Sequence, residues 1–536
     1  MTAGPEARTA PAHQTSSPLR WTQQLLLFSL FFAGLMLLHA PLLRLPYFWD
    51  EAGYYVPAAR DLYLTGTLIP HSTVSNAHPP LVMAWLAMAW RVAGYSALVT
   101  RTVMLALAAF SLLGIWRLSR VTANPAVAWA TAALTALYPV FFTQSSLAQV
   151  DLAAAGFTFW GLSAYVEDCR WRQAAWFSLA VLAKETAVLA PLALFVWEVL
   201  ALILRPRWQE LFPSSTRRTR PFHLLASVVP LACWYAYHRA KTGFVLGNPE
   251  YFRYNVAATL DPLRIPLALG LRLWQLFGYL GLYLLTLAGL LALFRPPQTE
   301  NGLTRPRIAV WIQAGFLSVV LAYAAFMSAV GGAALARYLL PVVPLVILVW
   351  TATLYRRVRF WKPVVVAIAI AFVAGLFTNP PYGFSLEDNL AYRDYVVMHV
   401  EASRFLAMRY PHSRVLSAWP ASDELTRPWL GYVARPFPVM RIEDFTAPQI
   451  AAASAASSHF DVAFVFSTKY QPPHPFLENW VWWQHIKEGF FGYHRDLLPE
   501  EIAQRLGGRI IFHKGHSGQW VAVIAMEREE DARSPW

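Results

Sequence analysis

The sequence predicts a polytopic α-helical membrane protein with a smaller external α/β domain at its C-terminal end. Of its 536 residues, 57% are hydrophobic and only 14% are charged, a composition far too apolar for a soluble protein. The apolar residues also cluster in runs of about 20, the length that a helix needs to cross a bilayer. These runs end near Asn379, after which charged residues return and short segments indicate a mixed domain.

About eleven segments are predicted to span the membrane. They lie near 21–43, 98–118, 125–145, 152–167, 172–184, 186–204, 222–238, 267–294, 308–329, 338–355 and 363–378. The stretch 79–94 is ambiguous, because it is apolar but shorter than a span and carries Arg91. Whether this stretch crosses the membrane decides the side on which every later loop lies.

Basic residues decide the position of 79–94. If this stretch lies along the outer interface, the basic clusters all fall in cytosolic loops, as the positive-inside rule requires. The clusters are Arg117 and Arg120; Arg170 and Arg172; Arg205, Arg207, Arg217, Arg218 and Arg220; Arg295, Arg305 and Arg307; and Arg356, Arg357, Arg359 and Lys362. We therefore predict a cytosolic N-terminus and a long first external loop over 44–97 that contains two interfacial helices.

The chain divides into three predicted parts. Residues 1–20 are polar and rich in proline and serine, which is typical of a disordered cytosolic tail. Residues 21–378 form the transmembrane domain, whose first segment is predicted to be an uncleaved anchor in the plasma (inner) membrane. Residues 379–536 form the external domain. The net charge of +13 is spread over short loops rather than one basic stripe, so nucleic acid is not a predicted partner.

The external domain begins after Pro380-Pro381-Tyr382-Gly383, which has the composition of a linker. Periodicity predicts helices over 388–409 and near 498–506, and strands near 414–418, 461–466, 508–513 and 519–526. Three tryptophans, Trp480, Trp482 and Trp483, fit either a membrane interface or a packed core. The pattern as a whole indicates a small α/β unit.

The first external loop carries two adjacent carboxylates, Asp50 and Glu51, directly after an apolar run. Ionisable groups at the edge of a membrane are costly and usually mark a substrate path or a catalytic site. The competing interpretation is that Asp50 only caps a helix that begins at Glu51. The predicted topology favours a site, because it places Asp151, Lys184 and Arg337 at the outer ends of spans, on the same face as Asp50.

Each of these two cations also has a structural explanation. Lys184 can pair with Glu185 beside it, and Arg337 can extend its head group to the interface. The reaction that suits external carboxylates and cations on a lipid-accessible bundle is transfer of a glycosyl group from a polyprenyl phosphate. It needs a base for the incoming hydroxyl and positive charge near the departing phosphate. Asp50 is the predicted base.

Several short motifs follow one another along about residues 20–380. They are Asp50-Glu51 with Tyr54 and Tyr55, then Gly66, His78-Pro79-Pro80-Leu81, Asp151 before a span, Leu182-Ala183-Lys184-Glu185, and Arg337-Tyr338 before Pro341 and Pro344. This order resembles the GT-C membrane glycosyltransferases, in particular the protein O-mannosyltransferases and the lipid A aminoarabinose transferase. The external domain shows no such resemblance.

The resemblance implies a polyprenyl-phosphate-linked sugar as donor, transferred with inversion to a lipid, glycan or protein on the external face. It implies no cofactor and usually no catalytic metal. It assigns the catalytic carboxylates to Asp50, Glu51 and Asp151, with Asp50 at the position of the candidate base. The residues implied to bind the donor phosphate or the substrate are Tyr54, Tyr55, His78, Lys184, Arg337 and Tyr338.

One position departs from the family pattern, and two other functions stay open. The aminoarabinose transferase has a lysine before its Pro-Pro, where this chain has His78. An imidazole is only partly charged near neutral pH, so Lys184 or Arg337 can bind the phosphate in its place. The other functions are a membrane transporter, which should show two similar halves with spans broken at the midplane, and a lipid-binding assembly protein without transferase activity.

Overall fold

The structure is a computed structural model that describes residues 20–204, 221–300, 302–472 and 479–527. The tail predicted over 1–20 lies outside the described residues except for Arg20, and so does the basic cluster from Arg205 to Arg220. Within the described residues, the chain forms a helical bundle followed by a domain built on a five-stranded sheet. Both parts of the predicted fold class are therefore present.

The α-helices of the bundle are Trp21–Leu38 (α1), Val56–Thr65 (α2), Leu81–Ala93 (α3), Ala97–Thr122 (α4), Pro125–Leu137 (α5), Pro139–Gln144 (α6), Asp151–Val166 (α7), Arg170–Ala183 (α8), Leu189–Leu204 (α9), Val228–Thr242 (α10), Pro249–Asn255 (α11), Arg264–Phe277 (α12), Leu282–Leu293 (α13), Val310–Ala329 (α14), Val343–Arg357 (α15) and Trp361–Phe377 (α16). A short hairpin of Thr299–Glu300 (β1) and Leu303–Thr304 (β2) joins α13 to α14. Side-chain oxygens of Ser96 and Asn124 accept hydrogen bonds from backbone N–H groups at the starts of α4 and α5, which explains where these helices begin.

Five of the described segments are long and apolar enough to cross a membrane. They are Trp21–Leu38, Ala97–Thr122, Glu185–Ile203, Arg264–Leu293 and Val310–Ala329. Leu81–Ala93 is a shorter apolar helix, which fits the interfacial position predicted for 79–94. The other predicted spans coincide with shorter helices, so the number of about eleven spans stays a prediction.

Two predicted spans are interrupted, which corrects their sequence-based boundaries. The segment 125–145 contains two helices, because Tyr138 before Pro139 adopts an extended backbone with ψ of 124°. The segment 267–294 breaks at the 3-10 turn Tyr279–Gly281, where Leu280 has a φ of 48°. Hydropathy reports how apolar a segment is and carries no information about such turns.

Helices α4 and α7 run parallel, as the predicted topology requires. Near their C-terminal ends, Arg117 of α4 pairs with Glu167 just after α7 at 2.7 Å. Near their N-terminal ends, Arg101 of α4 donates to the carbonyl oxygen of Ser146 at 2.8 Å. Arg172, at the start of α8, also lies 3.3 Å from Glu167. The basic residues 117 and 172 are thus found together, at the end of the bundle away from Asp151.

The loop 44–97, which is predicted to be the first external loop, carries a distorted helix. Residues Glu51–Tyr55 form a π-helical turn that continues into α2. Such turns are rare and frequently lie at functional sites. Pro57 is the second residue of α2, directly after the π-helical turn. The segment after α2 then folds back, because Asp61 Oδ2 accepts hydrogen bonds from the N–H groups of His71 and Ser72, each at 2.7 Å.

The C-terminal domain, whose external position stays a prediction, is built on a mixed sheet. Its strands are Val415–Ala418 (β3), Val439–Ile442 (β4), Val462–Phe466 (β5), Gly508–His516 (β6) and Gln519–Met526 (β7), and its helices are Ala391–Arg409 (α17), Ala421–Thr426 (α18), Ala447–Ala455 (α19), Val481–Phe491 (α20) and Pro499–Leu506 (α21). The spatial order is β4-β3-β5-β7-β6; the pairs of β3 with β4 and β5 are parallel, and those of β7 with β5 and β6 are antiparallel.

Every strand and helix predicted for this domain is present, and four elements were missed. The missed elements are β4, α18, α19 and α20. Strand β4 is a four-residue edge strand, too short to show a clear alternation. Helix α20 contains no buried residue, and Trp480 and Trp482 are 44% and 53% exposed. The packed-core interpretation of the tryptophan cluster is therefore wrong.

The external domain packs directly on the first external loop, and buried residues of both belong to one hydrophobic core. Trp419, which follows β3, lies with its ring centroid 5.3 Å from that of Trp49 and 6.0 Å from that of Tyr54. It also covers Gly53, where an added Cβ would lie 2.7 Å from the indole ring. Only glycine therefore fits at position 53 without moving the Trp419 side chain.

Candidate active site

Asp50 follows a residue with a strained backbone. Trp49 has a φ of 45°, a left-handed conformation that a bulky residue adopts only where its surroundings hold it. The rings of Tyr395 and Trp419, both from the external domain, lie 5.6 and 5.3 Å from the Trp49 ring. The Asp50 side chain makes no capping bond, pairs with Arg337, and is 20% exposed. The interpretation of Asp50 as a helix cap is therefore wrong.

Arg337 is the centre of a polar cluster. It lies in the 3-10 turn Ala336–Leu339 before α15 and is only 1% exposed, so the interpretation that it extends to the interface is wrong. Its guanidinium pairs with Asp50 and with Glu387. Its Nε also lies 3.3 Å from Oδ2 of Asp151. Although burial alone would lower the pKa of Arg337, these carboxylates raise it well above its ordinary value, so Arg337 stays charged.

Lys184 and His78 have acidic partners from other segments. Lys184 donates to Asp151, with 2.6 Å between Nζ and Oδ1. Glu185 pairs with His78 instead, with 2.8 Å between Oε2 and Nδ1. Lys184 has an extended backbone at the end of α8, which directs successive side chains apart. The local pair of Lys184 with Glu185 that the sequence allowed is therefore wrong.

The three predicted tyrosines have different surroundings. Tyr55 is buried, and its ring stacks on that of His78 with centroids 5.9 Å apart. The centroid of the Tyr338 ring lies 4.1 Å from Nζ of Lys184, a cation–π contact. Tyr54 lies at the interface with the external domain described above. Tyr55 and Tyr338 thus contact the predicted cations.

Glu51 has an environment quite unlike that of Asp50. Its side chain is 0% exposed and pairs with Arg101. Its oxygens also accept hydrogen bonds from the backbone N–H groups of Phe48, at 2.9 Å, and Ala148. Glu51 therefore has the surroundings of a structural ion pair, and Asp50 is the carboxylate of the pair with exposed surface.

Glu387 and Gln149 belong to the cluster and were missed. Glu387 lies in the 3-10 turn Leu386–Asp388 between α16 and α17, and besides Arg337 it accepts a hydrogen bond from Nε2 of Gln149 at 2.9 Å. Oε1 of Gln149 in turn accepts from Arg337 at 2.6 Å. The hydroxyl of Thr143 donates to the Glu387 carbonyl oxygen at 2.6 Å and fixes the turn. An acid in a polar linker gives no sequence signal that it is buried.

Asp388 is a buried acid beside this cluster. The hydroxyl of Tyr279 donates to its Oδ2 at 2.6 Å, and its Oδ1 has no hydrogen-bond partner among the described residues. Burial, together with the neighbouring charge of Glu387, raises the pKa of Asp388 to about 8. Asp388 is therefore protonated at neutral pH.

Arg272 is a cation that the sequence analysis missed. It lies in α12, is 0% exposed, and donates to the carbonyl oxygens of Met327 at 3.1 Å and Leu335 at 2.9 Å and to the side chain of Gln275 at 2.8 Å. Within the described part of the chain its Nη2 has no hydrogen-bond partner and the side chain has no acidic ion-pair partner. Its Cζ lies 5.8 Å from the centroid of the Tyr338 ring. The signal available was an arginine inside an apolar segment.

The cluster as a whole joins a partly exposed carboxylate to buried cations. Arg337 and Lys184 are both engaged by carboxylates, while Arg272 keeps an unused donor. Such a site can accept a proton at Asp50 and stabilise negative charge near Tyr338. The guanidinium of Arg337 pairs with three carboxylates. That the reaction uses no catalytic metal stays a prediction.

The family comparison agrees with the motifs. Residues 77–236 match the model of the dolichyl-phosphate-mannose-protein mannosyltransferase family. The matched range includes His78, Asp151 and Lys184, and it excludes Asp50 and Arg337. The match supports the resemblance to GT-C glycosyltransferases that the motif order indicates. No curated protein sequence matches the chain.

Solved structures of low sequence identity also align with the chain. ArnT from Cupriavidus metallidurans, bound to undecaprenyl phosphate, aligns with a TM-score of 0.49 and 13% identity, over 94% of this chain and 98% of that chain. The oligosaccharyltransferase AglB from Archaeoglobus fulgidus, in complex with an inhibitory peptide and a dolichol-phosphate, gives 0.45 and 12% over 94% and 74%. The arabinofuranosyltransferase AftD from Mycobacteria gives 0.41 and 14% over 96% and 40%.

Proposed function

We propose that the protein is a glycosyltransferase that moves a sugar from a polyprenyl-phosphate donor to an acceptor hydroxyl or phosphate on the external face of the plasma (inner) membrane. The observation that carries the proposal is the partly exposed carboxylate of Asp50, held against Arg337 in one cluster with Asp151 and Lys184. These four residues come from separate segments of the chain, and the motif order that contains them resembles known glycosyltransferases.

In the proposed reaction, Asp50 accepts the proton of an acceptor hydroxyl as the hydroxyl oxygen bonds to the anomeric carbon of the sugar. The bond from that carbon to the donor phosphate breaks on the opposite face, and its electron pair leaves with the phosphate. The configuration at the anomeric carbon therefore inverts. Arg337 pairs with Asp50 and fixes the direction of the carboxylate.

The departing phosphate requires positive charge that carboxylates do not already neutralise. Arg337 pairs with three carboxylates, and Lys184 donates to Asp151. The unused Nη2 of Arg272, close to the ring of Tyr338, suits a phosphate oxygen better. We therefore assign the main contact with the phosphate to Arg272, together with Lys184, which contacts the same Tyr338 ring, instead of to His78 or Arg337.

Release of the lipid carrier tests the activity directly. Purified full-length protein in detergent is mixed with a synthetic polyprenyl-phosphate sugar and a cell-envelope extract that supplies acceptors. Free polyprenyl phosphate should accumulate, and it should not accumulate with Asp50→Asn. A transporter or an assembly protein leaves the donor intact in both samples. Mass spectrometry of envelope lipids and glycoproteins from a deletion strain then identifies the acceptor among lipid, glycan and protein.

The proposed orientation has its own test. On a background without Cys169 and Cys233, single cysteines replace Glu500 in the external domain and Arg359 in a predicted cytosolic loop; both positions are exposed. A membrane-impermeant thiol reagent added to intact cells should label the cysteine at 500 and leave that at 359 unlabelled. The opposite pattern would place the site on the cytosolic face.

A further inference from the structure

Three metal-ligating side chains converge in the external domain, in a cluster that the proposed transfer reaction does not use. Asp444 follows strand β4, and His494 and Asp496 follow helix α20. One ligand atom from each lies within 4.8 Å of the other two. Nε2 of His494 is 3.6 Å from Oδ2 of Asp444 and also 3.6 Å from Oδ1 of Asp496.

These distances are too long for hydrogen bonds and short enough for a shared ion. A hydrogen bond between nitrogen and oxygen measures about 2.7–3.2 Å. The ligands of a tetrahedral metal site with bonds of about 2.1 Å lie about 3.4 Å from one another. The distance from Nε2 of His494 to each carboxylate oxygen is therefore typical of two ligands of the same ion.

The second observation is an unsatisfied atom. The Asp496 side chain is 5% exposed, and its Oδ1, the atom directed at His494, has no hydrogen-bond partner in the described part of the chain. A buried carboxylate oxygen without a donor is unfavourable. A cation between the three side chains would satisfy this oxygen.

In both carboxylates, the oxygen that is not directed at His494 accepts a hydrogen bond from a threonine hydroxyl. Oδ1 of Asp444 accepts from the backbone N–H of Thr446 at 2.9 Å and from its hydroxyl at 2.6 Å. The Thr468 hydroxyl donates to Oδ2 of Asp496. A hydrogen bond to one oxygen therefore orients each carboxylate, and the other oxygen is the one close to His494. Such support of the ligands is usual at metal sites.

Lys469 lies close enough to interact electrostatically with both carboxylates, but its hydrogen bond goes to another group. Nζ of Lys469 donates to the backbone carbonyl oxygen of His494 at 2.9 Å and lies 4.8 Å from the centroid of the Tyr493 ring. No ion pair of Lys469 with either carboxylate is found among the described residues at salt-bridge distance. The His494 side chain is 41% exposed, which leaves an entry path and room for water ligands.

We propose that Asp444, His494 and Asp496 bind a divalent transition-metal ion such as Zn²⁺ or Mn²⁺, with water completing the coordination. One imidazole and two carboxylates suit these ions better than Ca²⁺ or Mg²⁺, which take oxygen ligands. The ion joins the segment after α20 to the segment after β4. It therefore fixes the C-terminal end of the helix that carries the exposed tryptophans.

The position of α20 gives this ion a structural consequence. Nε of Arg264, at the start of α12, donates to the carbonyl oxygen of Phe490 at 2.9 Å, and its guanidinium lies 5.3 Å from the centroid of the Phe491 ring. The C-terminal end of α20, which the ion would fix, thus also contacts α12 of the bundle. Bound metal should hold α20 against α12.

Metal content of the full-length protein in detergent tests the site. The protein is treated with a chelator, dialysed against Zn²⁺ or Mn²⁺, freed of unbound ion and measured by elemental mass spectrometry. His494→Ala should bind about one equivalent less than the wild type, because an open three-ligand site loses most of its affinity with one ligand. His412→Ala, an exposed histidine of the same domain, should match the wild type. Equal metal content in all three proteins would overturn the site.

Hydrogen exchange tests the consequence for α20. Exchange of the backbone amides of 481–491 should slow on addition of Zn²⁺ or Mn²⁺ in the wild type and in His412→Ala, and not in His494→Ala. Because His494 is partly exposed, its replacement should leave exchange in β5 and β7 unchanged, which shows that the domain is folded. Metal binding without any change in exchange over 481–491 would overturn the proposed fixing of α20.

Discussion

Asp50 and Glu51 are adjacent in the chain but belong to two different ion-pair clusters, which differ in how completely their polar atoms are hydrogen-bonded. Around Glu51, the partner Arg101 and two backbone N–H groups surround a carboxylate with no exposed surface. Around Arg337, the side chain of Asp50 is 20% exposed. In that second cluster Nε of Arg337, Oδ2 of Asp151 and Oε1 of Glu387 lack hydrogen-bond partners among the described residues.

The difference shows how two neighbouring acids can have separate roles. A closed, fully bonded pair fixes the loop, since breaking it leaves a buried charge without compensation. An incompletely bonded, partly open cluster can exchange its partners for a substrate. The sequence analysis assigns the base to Asp50, but it carries no signal for the partner Arg101 that encloses Glu51.

Removing the proton acceptor should have the largest effect. Asp50→Asn keeps the shape of the side chain, and we expect transfer to fall by about 10²- to 10⁴-fold because general-base catalysis is lost. The release assay described above measures this. The melting temperature should stay close to that of the wild type. Near-normal transfer in this variant would show that another carboxylate, with Asp151 next in line, is the base.

Neutralising the adjacent acid should act on folding instead. Glu51→Gln leaves Arg101 buried without a charged partner, which typically destabilises by about 3–5 kcal/mol. We expect a lower yield and melting temperature than for Asp50→Asn. The double variant Glu51→Gln with Arg101→Gln should regain part of the loss. If Glu51→Gln is as stable as the wild type but inactive, the two acids have the reverse roles.

Arg272 should govern donor affinity. Arg272→Gln removes a charge that can hydrogen-bond a phosphate, and loss of such a contact typically weakens binding by about 1.5–3 kcal/mol. We expect the KM for the polyprenyl-phosphate sugar to rise by about 10- to 100-fold. Arg117→Gln, which changes an arginine at the other end of the bundle, serves as the control. A change in kcat alone would contradict the assignment of Arg272 to the phosphate.

The last expected effect is a pH dependence of the stability, set by Asp388. Its pKa is raised from 3.8 to about 8 in the folded chain, so the folded state binds this proton more tightly than the unfolded state. The stability from this group is fully present below the unfolded value and is lost as the pH rises through about 8. The melting temperature of the wild type should therefore fall between about pH 5 and pH 9 more steeply than that of Asp388→Asn. Parallel curves would mean that Asp388 is ionised throughout.

Much of the bundle was predictable, because hydropathy and arginine positions report directly on burial and topology. The same argument brought Asp50, Asp151, Lys184 and Arg337 to one face, and the structure places them in one cluster. Pairing within the cluster was not predictable. Lys184 bonds Asp151 and not its neighbour Glu185, because the backbone direction at a helix end decides where each side chain points.

The residues that were missed are of two kinds. Glu387 enters the cluster only because a turn of the linker inserts between the bundle and α17, a tertiary arrangement with no local pattern. Arg272 had a readable signal, since a cation inside an apolar segment calls for a function. The breaks at Pro139 and Gly281 lie between these cases, because proline and glycine mark positions where a helix can end without requiring it.

The contacts of Trp49 impose an order on biosynthesis. The strained residue before Asp50 is held by Tyr395 and Trp419, which lie far later in the chain. At synthesis rates of about 5–20 residues per second, the loop waits tens of seconds before these side chains emerge. A partly synthesised chain in the membrane therefore contains Asp50 but lacks the rings of Tyr395 and Trp419 that hold Trp49 beside it. In the proposed transfer reaction, Asp50 would act as a base only after the domain that carries Tyr395 and Trp419 has folded.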